Sequence, residues 1–334
     1  MSSTVPITVH PSQFPDAIRR DLLRSLRQKQ IHPKFLYDSV QQAQLWLDLH
    51  DAWSPARADA GVTRIYQAAF QNVLQALPRS KKTIHLIGLG TGGGQKETRF
   101  LRQLRRHGRN ASFSPVEVSV ALALTSHRAA RGLADPIEPI VCDLATARDL
   151  TRIFSRGTTG PRVITCFGML PNFEPARLLS LLRFLLKPGD HLLLSANLAP
   201  GPDYAAGVDC ILPQYDNPET SRWLLSFLTH VGINPRHGKL EFKIESARGL
   251  KRVVAAFNFR KRTFLAIGNQ SFQWQAGENL RLFFSYRYTP QLLAATLGRF
   301  GLRVEKEWIS SSGEEGVFQI TPSIRKRKVF RGRP

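Results

Sequence analysis

Between Thr83 and Ser119 the chain reads Thr-Ile-His-Leu-Ile-Gly-Leu-Gly-Thr-Gly-Gly-Gly-Gln-Lys-Glu-Thr, then a basic helical stretch, then Ala-Ser-Phe-Ser-Pro-Val-Glu-Val-Ser. An apolar strand that enters a tight glycine turn, a helix, and a second strand ending in an acid together hold a nucleotide-like cofactor over a parallel sheet. In a dinucleotide fold the turn is G-x-G-x-x-G and seats a pyrophosphate on the helix N-terminus. Here Gly88, Gly90, Gly92, Gly93 and Gly94 make a wider turn, which suits a cofactor without phosphates, such as S-adenosyl-L-methionine. Glu117 follows Gly90 by 27 residues, where an acid at a strand tip can accept both ribose hydroxyls. Glycines also cap ordinary strand–helix turns, so the turn alone leaves that alternative open.

The flanking pattern narrows the fold class. Strands are predicted at 84–89, 111–116, 137–142, 162–167 and 191–197, with helices at 98–106, 120–131, 145–154 and 174–186 between them. This alternation is a doubly wound, mostly parallel α/β sheet. Upstream, residues 16–77 carry apolar side chains at helical spacing, as in Ile18-Leu22-Leu23-Leu26 and Ile65-Tyr66-Ala69-Phe70-Val73. Residues 199–285 interrupt the alternation with a helix at 218–231 and short runs at 240–246, 253–259, 263–267 and 272–275, read as antiparallel strands. A helix at 289–300 and strands at 303–309 and 316–320 then complete the sheet. The expected organisation is a flexible arm (1–15), a helical part of a substrate lobe (16–77), a cofactor-binding core (78–198 and 286–321), an inserted α+β substrate lobe (199–285) and a basic disordered tail (322–334).

Composition limits the function classes. No run of about 18 apolar residues is present, and Met1-Ser-Ser-Thr-Val-Pro lacks a secretion pattern, so a cytoplasmic protein without membrane contact is expected. Cys142, Cys166 and Cys210 are odd in number and widely spaced, which supports neither a disulfide framework nor a metal knuckle. The histidines are scattered without metal-ligand spacing, and no metal site is expected. The net charge of +22 comes from 47 Lys+Arg against 25 Asp+Glu. It suits either a solvated basic surface or a nucleic acid or other polyanion. Aromatic residues are not interleaved with the charges as single-strand readers require, which favours the solvated surface.

An ordered set of segments resembles the histidine-specific methyltransferase family: Phe35-Leu-Tyr-Asp, Leu89-Gly-Thr-Gly with Lys96, Phe113-Ser-Pro-Val-Glu-Val-Ser, Phe167-Gly-Met-Leu-Pro-Asn-Phe-Glu-Pro, Gly189-Asp-His-Leu-Leu-Leu, Gln214-Tyr-Asp-Asn and Phe284-Ser-Tyr-Arg-Tyr-Thr-Pro. The resemblance implies a class I methyltransferase core using S-adenosyl-L-methionine and a small-molecule amine substrate. It implies that Gly88, Gly90, Gly92 and Lys96 line the methionine end of the cofactor, that Glu117 takes its ribose and that Asp143 takes its adenine amine. It further implies that Asn172 is the catalytic residue near the substrate amine, with Tyr37 and Tyr215 near the carboxylate.

The departures concern the substrate. Where the family has Glu-x-Ser to grip an imidazole, this chain has Phe283-Phe284-Ser285; Val40-Gln-Gln-Ala-Gln-Leu-Trp and Asp51-Ala-Trp-Ser replace two further elements, with Arg57 and Asp59 kept. An apolar ring in place of a charged acceptor leaves a bound imidazole N–H unpaired, at a cost of about 1–3 kcal/mol. Free histidine is therefore not the expected substrate. Phe283 and Ser285 are expected to line the altered pocket, and Phe284, Trp53 and Trp274 form either an aromatic wall or ordinary core. Asn172 equally suits a cap for the helix that follows, Tyr37 and Tyr215 equally suit the core, and Ser285 equally suits a cap. The expected activity is N-methylation of an amino acid or related small amine. The alternatives are methylation of a nucleic acid or a cofactor-binding pseudoenzyme without turnover.

Overall fold

The computed structural model, which describes residues 4–53, 60–154 and 160–323, begins with a strand where a loose arm is expected. β1 (Thr8–Val9) lies parallel to β4 (Ile140–Val141) and adds an edge to the main sheet. Residues 10–13 then fold over the end of β4. His10 Nε2 meets Asp149 Oδ1 at 2.8 Å, the Gln13 amide donates to the Val118 carbonyl, and the Asp143 N–H donates to Ser12 Oγ at 2.9 Å. The segment is a strap, held by partners more than a hundred residues away.

Between those edges run β2 (Ile84–Leu89) and β3 (Ala111–Glu117), each buried at every position, as strands covered by helices on both faces must be. β5 (Arg162–Cys166) and β6 (His191–Asn197) continue the parallel set. The inserted strands are β7 (Gly238–Ala247), β8 (Leu250–Phe259), β9 (Thr263–Ile267), β10 (Gln270–Trp274) and β11 (Asn279–Arg287). β12 (Leu302–Ile309) and β13 (Glu315–Pro322) return to the main sheet. Its order is β1-β4-β3-β2-β5-β6-β13-β12, with β13 antiparallel to both its neighbours. This is the class I methyltransferase architecture: one large, mostly parallel sheet flanked by helices.

Two predicted elements come out shorter by four residues or more. The strand expected at 137–142 keeps only two ladder residues, because Pro136 and Pro139 have no N–H to donate. The helix expected at 145–154 is reduced to Leu150–Ile153, because the Asp143 carboxylate accepts from Ala145 N–H at 2.9 Å and Thr146 Oγ1 at 3.0 Å, which holds residues 143–146 in a turn. A helix at Tyr204–Ile211, absent from the expectation, packs near β8.

One face of the main sheet packs on the helices Pro175–Leu185 and Pro290–Arg299, the other on Ala60–Ala76 and Gln95–Arg106. A third apolar cluster joins helix Pro218–Val231 to β8, β11 and the N-terminal segment through Phe35, Trp223, Phe227 and Phe257. β11 belongs to both regions. A bulge between Arg281 and Phe283 resets its alternation, so that Phe284 and Tyr286 enter the main core while Phe283 joins the third cluster. Ser285 thus lies in a strand rather than at a helix start, which excludes the capping alternative for it.

Removing residues 1–14 deletes the acceptor of the Asp143 N–H. Hydrogen exchange measured by mass spectrometry over residues 140–146 is expected to speed up at least tenfold; unchanged exchange would show that the strap does not order this loop.

Candidate functional site

A cavity of about 650 Å³ opens at the carboxyl ends of β2 to β5, beneath the segment His32–His50, where open parallel sheets bind ligands. Its floor is the glycine turn. Gly90 (φ +65°) and Gly92 (φ +56°) adopt left-handed backbone, and a Cβ on them would lie 2.2 Å from Met169 Sδ and 2.4 Å from Trp46 Cη2. Both positions therefore demand glycine, for conformation and for space. Gly88 differs from expectation. It sits within β2 against Thr91 and Glu97 and does not reach the cavity surface.

Glu117, at the tip of β3, is 5% exposed and lines the cavity. Its Oε1 accepts from the Gly92 N–H and its Oε2 from the Val118 N–H at 3.1 Å. One backbone donor on each oxygen leaves lone pairs for two hydroxyls. Burial pushes this carboxyl up to about 7, although the two backbone donors pull it down and Glu97 nearby adds to the rise. Glu97 itself, bonded by Thr165 Oγ1 at 3.0 Å, is pushed up to about 7, again chiefly by burial.

At the other end of the cavity stands Asp143. Beyond its turn contacts, its Oδ2 lies 3.6 Å from Lys34 Nζ and 3.7 Å from His32 Nε2. Lys34 is 4% exposed and pairs with buried Asp21 at 2.7 Å. Burial holds the His32 imidazole below its usual range, with Asp143 pulling the other way. A buried lysine between two carboxylates thus ties the N-terminal segment to this rim. Lys96 faces the cavity near the glycine turn. Its Nζ donates to Tyr66 Oη at 2.7 Å, lies 3.3 Å from Glu315 and sits 4.5 Å from the Tyr66 ring centroid.

Asn172 lines the cavity, and its Nδ2 donates to the Phe284 carbonyl at 2.9 Å. A carbonyl only accepts, so the amide orientation is determined and Oδ1 is left to accept. The capping alternative for Asn172 fails, since the helix at 175–185 starts after Glu174 with no side-chain cap. Tyr37 also lines the cavity, its ring 5.8 Å from Trp46 and 5.5 Å from Trp223. Burial, reinforced by the Glu117 charge, pushes its phenol well up and keeps it a donor.

Tyr215, Phe283 and Ser285 lie apart from the cavity wall, against the sequence expectation. They form their own group behind it: Tyr215 Oη donates to Ser285 Oγ at 2.8 Å, and Phe283 packs between Tyr215 at 6.1 Å and Trp223 at 5.7 Å. The reason is the β11 alternation, which turns Phe283 and Ser285 toward helix 218–231. Through Trp223 and Tyr37, however, the rings run on to the cavity. Of the other aromatics, Trp274 is core, stacked on Phe259, and Trp53 is half exposed with its indole on Glu219. Sequence patterning missed Trp46, Lys34 and Glu315; Trp46 lies within the helical repeat Leu45-Trp46-Leu49, where it passes for core. Arg57, Asp59 and residues 324–334 of the basic tail lie outside the described residues. Among the described residues no helix is long and apolar enough to cross a membrane, and no group of His, Cys, Asp or Glu is placed to hold a metal ion.

The family described as histidine-specific methyltransferase, SAM-dependent, matches residues 18–322. A histidine N-alpha-methyltransferase of Mycobacterium tuberculosis is 25% identical over 324 residues, covering 90% of this chain and 94% of that protein. The N-methyltransferase imqF of Aspergillus flavus is 23% identical over 291 residues, covering 80% of this chain and 73% of that protein.

A carboxyl raised from an unfolded value of 4.5 to about 7 keeps its proton in the folded state after the unfolded chain has lost it. Folded stability therefore falls as pH rises from about 4.5 to about 7 and levels off above. Glu97 adds a slope of the same sign over the same window, so the melting temperature of the ligand-free protein is expected to decline across it, and E117Q to make the decline shallower by about half. A variant profile as steep as wild type would assign the slope elsewhere.

Proposed function

Because the chain belongs to the histidine-specific, S-adenosylmethionine-dependent methyltransferase family, we propose that this methyltransferase transfers the methyl group to the nitrogen of an amino acid or related small amine other than free histidine. The observation that carries the proposal is the fixed Asn172 amide facing the cavity; the exclusion of free histidine rests on the sequence alone, where Phe283 stands at the position of the family's glutamate. The names of the two relatives, a histidine N-alpha-methyltransferase and an N-methyltransferase, support nitrogen as the acceptor atom.

The cavity suits the cofactor on three counts. The glycine floor admits close approach because no Cβ fits there. The Glu117 carboxylate has spare acceptors for the ribose diol, and two hydroxyl donors favour its charged form. Asp143 sits at the far rim for the adenine amine, with Lys96 near the turn for the methionine carboxylate. The cofactor supplies an electrophilic methyl on a sulfonium sulfur. The chain supplies position. Asn172 Oδ1 accepts an N–H of the neutral amine, so the nitrogen lone pair points away from Asn172, and accepting without taking a proton leaves that lone pair available. Trp46, Tyr37, Met169 and Phe173 line the space around that nitrogen with largely apolar surface and keep water from competing.

Calorimetry with S-adenosylhomocysteine is expected to show binding that releases a proton near pH 6.5, as Glu117 ionises on gripping the diol. Repeating the titration in buffers of different ionisation enthalpy reads that proton. E117Q is expected to weaken the affinity by about 10- to 100-fold, the worth of hydrogen bonds to a charged group. No binding by the wild type would overturn the proposal at its root. With labelled S-adenosylmethionine and a panel of free amino acids, transfer to a member other than histidine is expected, and N172A is expected to lower kcat by at least tenfold at unchanged cofactor affinity. Efficient methylation of free histidine would overturn the substrate assignment alone.

A further inference from the structure

Where β6 ends and β13 begins, two charges of opposite sign stand side by side on the cavity wall, and the scheme above uses only one of them. Glu315 is 7% exposed and lines the cavity at the start of β13, its backbone paired with Asn197 at the end of β6. Its Oε1 takes both neighbouring donors: Tyr66 Oη donates to it, and Lys96 Nζ lies 3.3 Å away. No donor among the described residues reaches Oε2. Lys96 spends one N–H on Tyr66 Oη at 2.7 Å and one on Glu315, and an ammonium has three. Burial, with Glu315 alongside, pushes the Tyr66 phenol well up, so it stays protonated and pins Oε1.

Asp143 and Glu117 accept on both oxygens from their own loops, whereas Glu315 keeps one oxygen free beside a cation. A free carboxylate oxygen next to a free ammonium N–H is complementary to a zwitterion, whose two charges need partners once water is excluded. S-adenosyl-L-methionine ends in such a group, with a carboxylate and an ammonium on one carbon. The placement favours that end over the methyl acceptor. Lys96 sits 4.5 Å from the Tyr66 ring and 5.9 Å from the Phe167 ring, and both rings belong to the apolar cluster on the Gln95–Arg106 face of the sheet. Phe284, which receives the Asn172 amide, belongs to the cluster on the opposite face. We propose that Glu315 binds the ammonium of the cofactor's methionine end while Lys96 takes its carboxylate, so that the pair reads that end as a zwitterion. Tyr66 is the positioning residue that holds both charges. The inference rests on the cavity being the cofactor site, and it adds an acid that lies outside every sequence segment pointing to that cofactor.

The test compares four ligands by calorimetry on wild type, E315Q, K96M and Y66F: S-adenosylhomocysteine, its analogue without the amino group, its analogue without the carboxylate, and methylthioadenosine, which lacks both. The wild type is expected to bind S-adenosylhomocysteine about tenfold or more tightly than either singly truncated analogue, the worth of a hydrogen bond between charged groups. E315Q is expected to reduce the preference for the amino group below about threefold while binding the deaminated analogue no more weakly, because Lys96 loses its competing anion. K96M is expected to reduce the preference for the carboxylate to a similar degree, and Y66F to lower both preferences by about threefold. If E315Q does not fold, E315D, which withdraws the charge by one methylene, is read in its place, with a loss of about threefold or more in the amino-group preference expected. A purely structural role for Glu315 would weaken all four ligands alike and leave their ratios unchanged, which overturns the inference. Equal wild-type affinity for S-adenosylhomocysteine and its deaminated analogue overturns it as well, and overturns it alone. Failure of S-adenosylhomocysteine to bind the wild type would instead overturn the cofactor site and this inference with it.

Discussion

The hydrogen bond between the Gly92 N–H and the Glu117 carboxylate is the contact on which the rest of the site depends. It joins the turn after β2 to the tip of β3, two loops that only the parallel pairing of those strands brings side by side. The carboxylate is buried at a cost that its two backbone donors only partly offset. A group kept in that condition is poised to gain from further donors, and a vicinal diol supplies two. The glycine turn is constrained by the same contact, since Gly92 must hold left-handed backbone to aim its N–H.

Much of the frame was legible because its causes are local. The strand 191–197 and the helix 218–231 match their predicted limits to the residue, since apolar runs and an Asn-Pro start carry the information within a few positions. Glu117, Asp143, Lys96, Asn172 and Tyr37, singled out from the ordered segments, share the wall of one cavity. What escaped was non-local. β1 is two residues long and owes its existence to a partner more than a hundred residues downstream. Lys34 reads as a surface residue until Asp21 and Asp143 are brought around it. Glu315 meets Tyr66 and Lys96 only because β13 inserts beside β6.

The acceptor side was the least legible, and for a geometric reason. Phe283, Ser285 and Tyr215 were expected on the cavity wall, but they gather behind it around Arg287. Residue identity alone does not say which way a strand faces, and here the alternation is broken once. The main sheet and the inserted lobe therefore share β11 as a common wall, with core packing on one side and the polar group on the other.

That single irregularity between Arg281 and Phe283 lets one strand serve two neighbours in succession. Removing Leu282, the unpaired extra residue, would let Arg281 and Phe283 follow one another opposite Ala256 and Ala255 in an unbroken ladder, so the faces of Phe284 to Arg287 would be kept while the local bend and added twist would be lost. The two packing regions that meet on β11 would then be joined by a straight strand in place of a bent one.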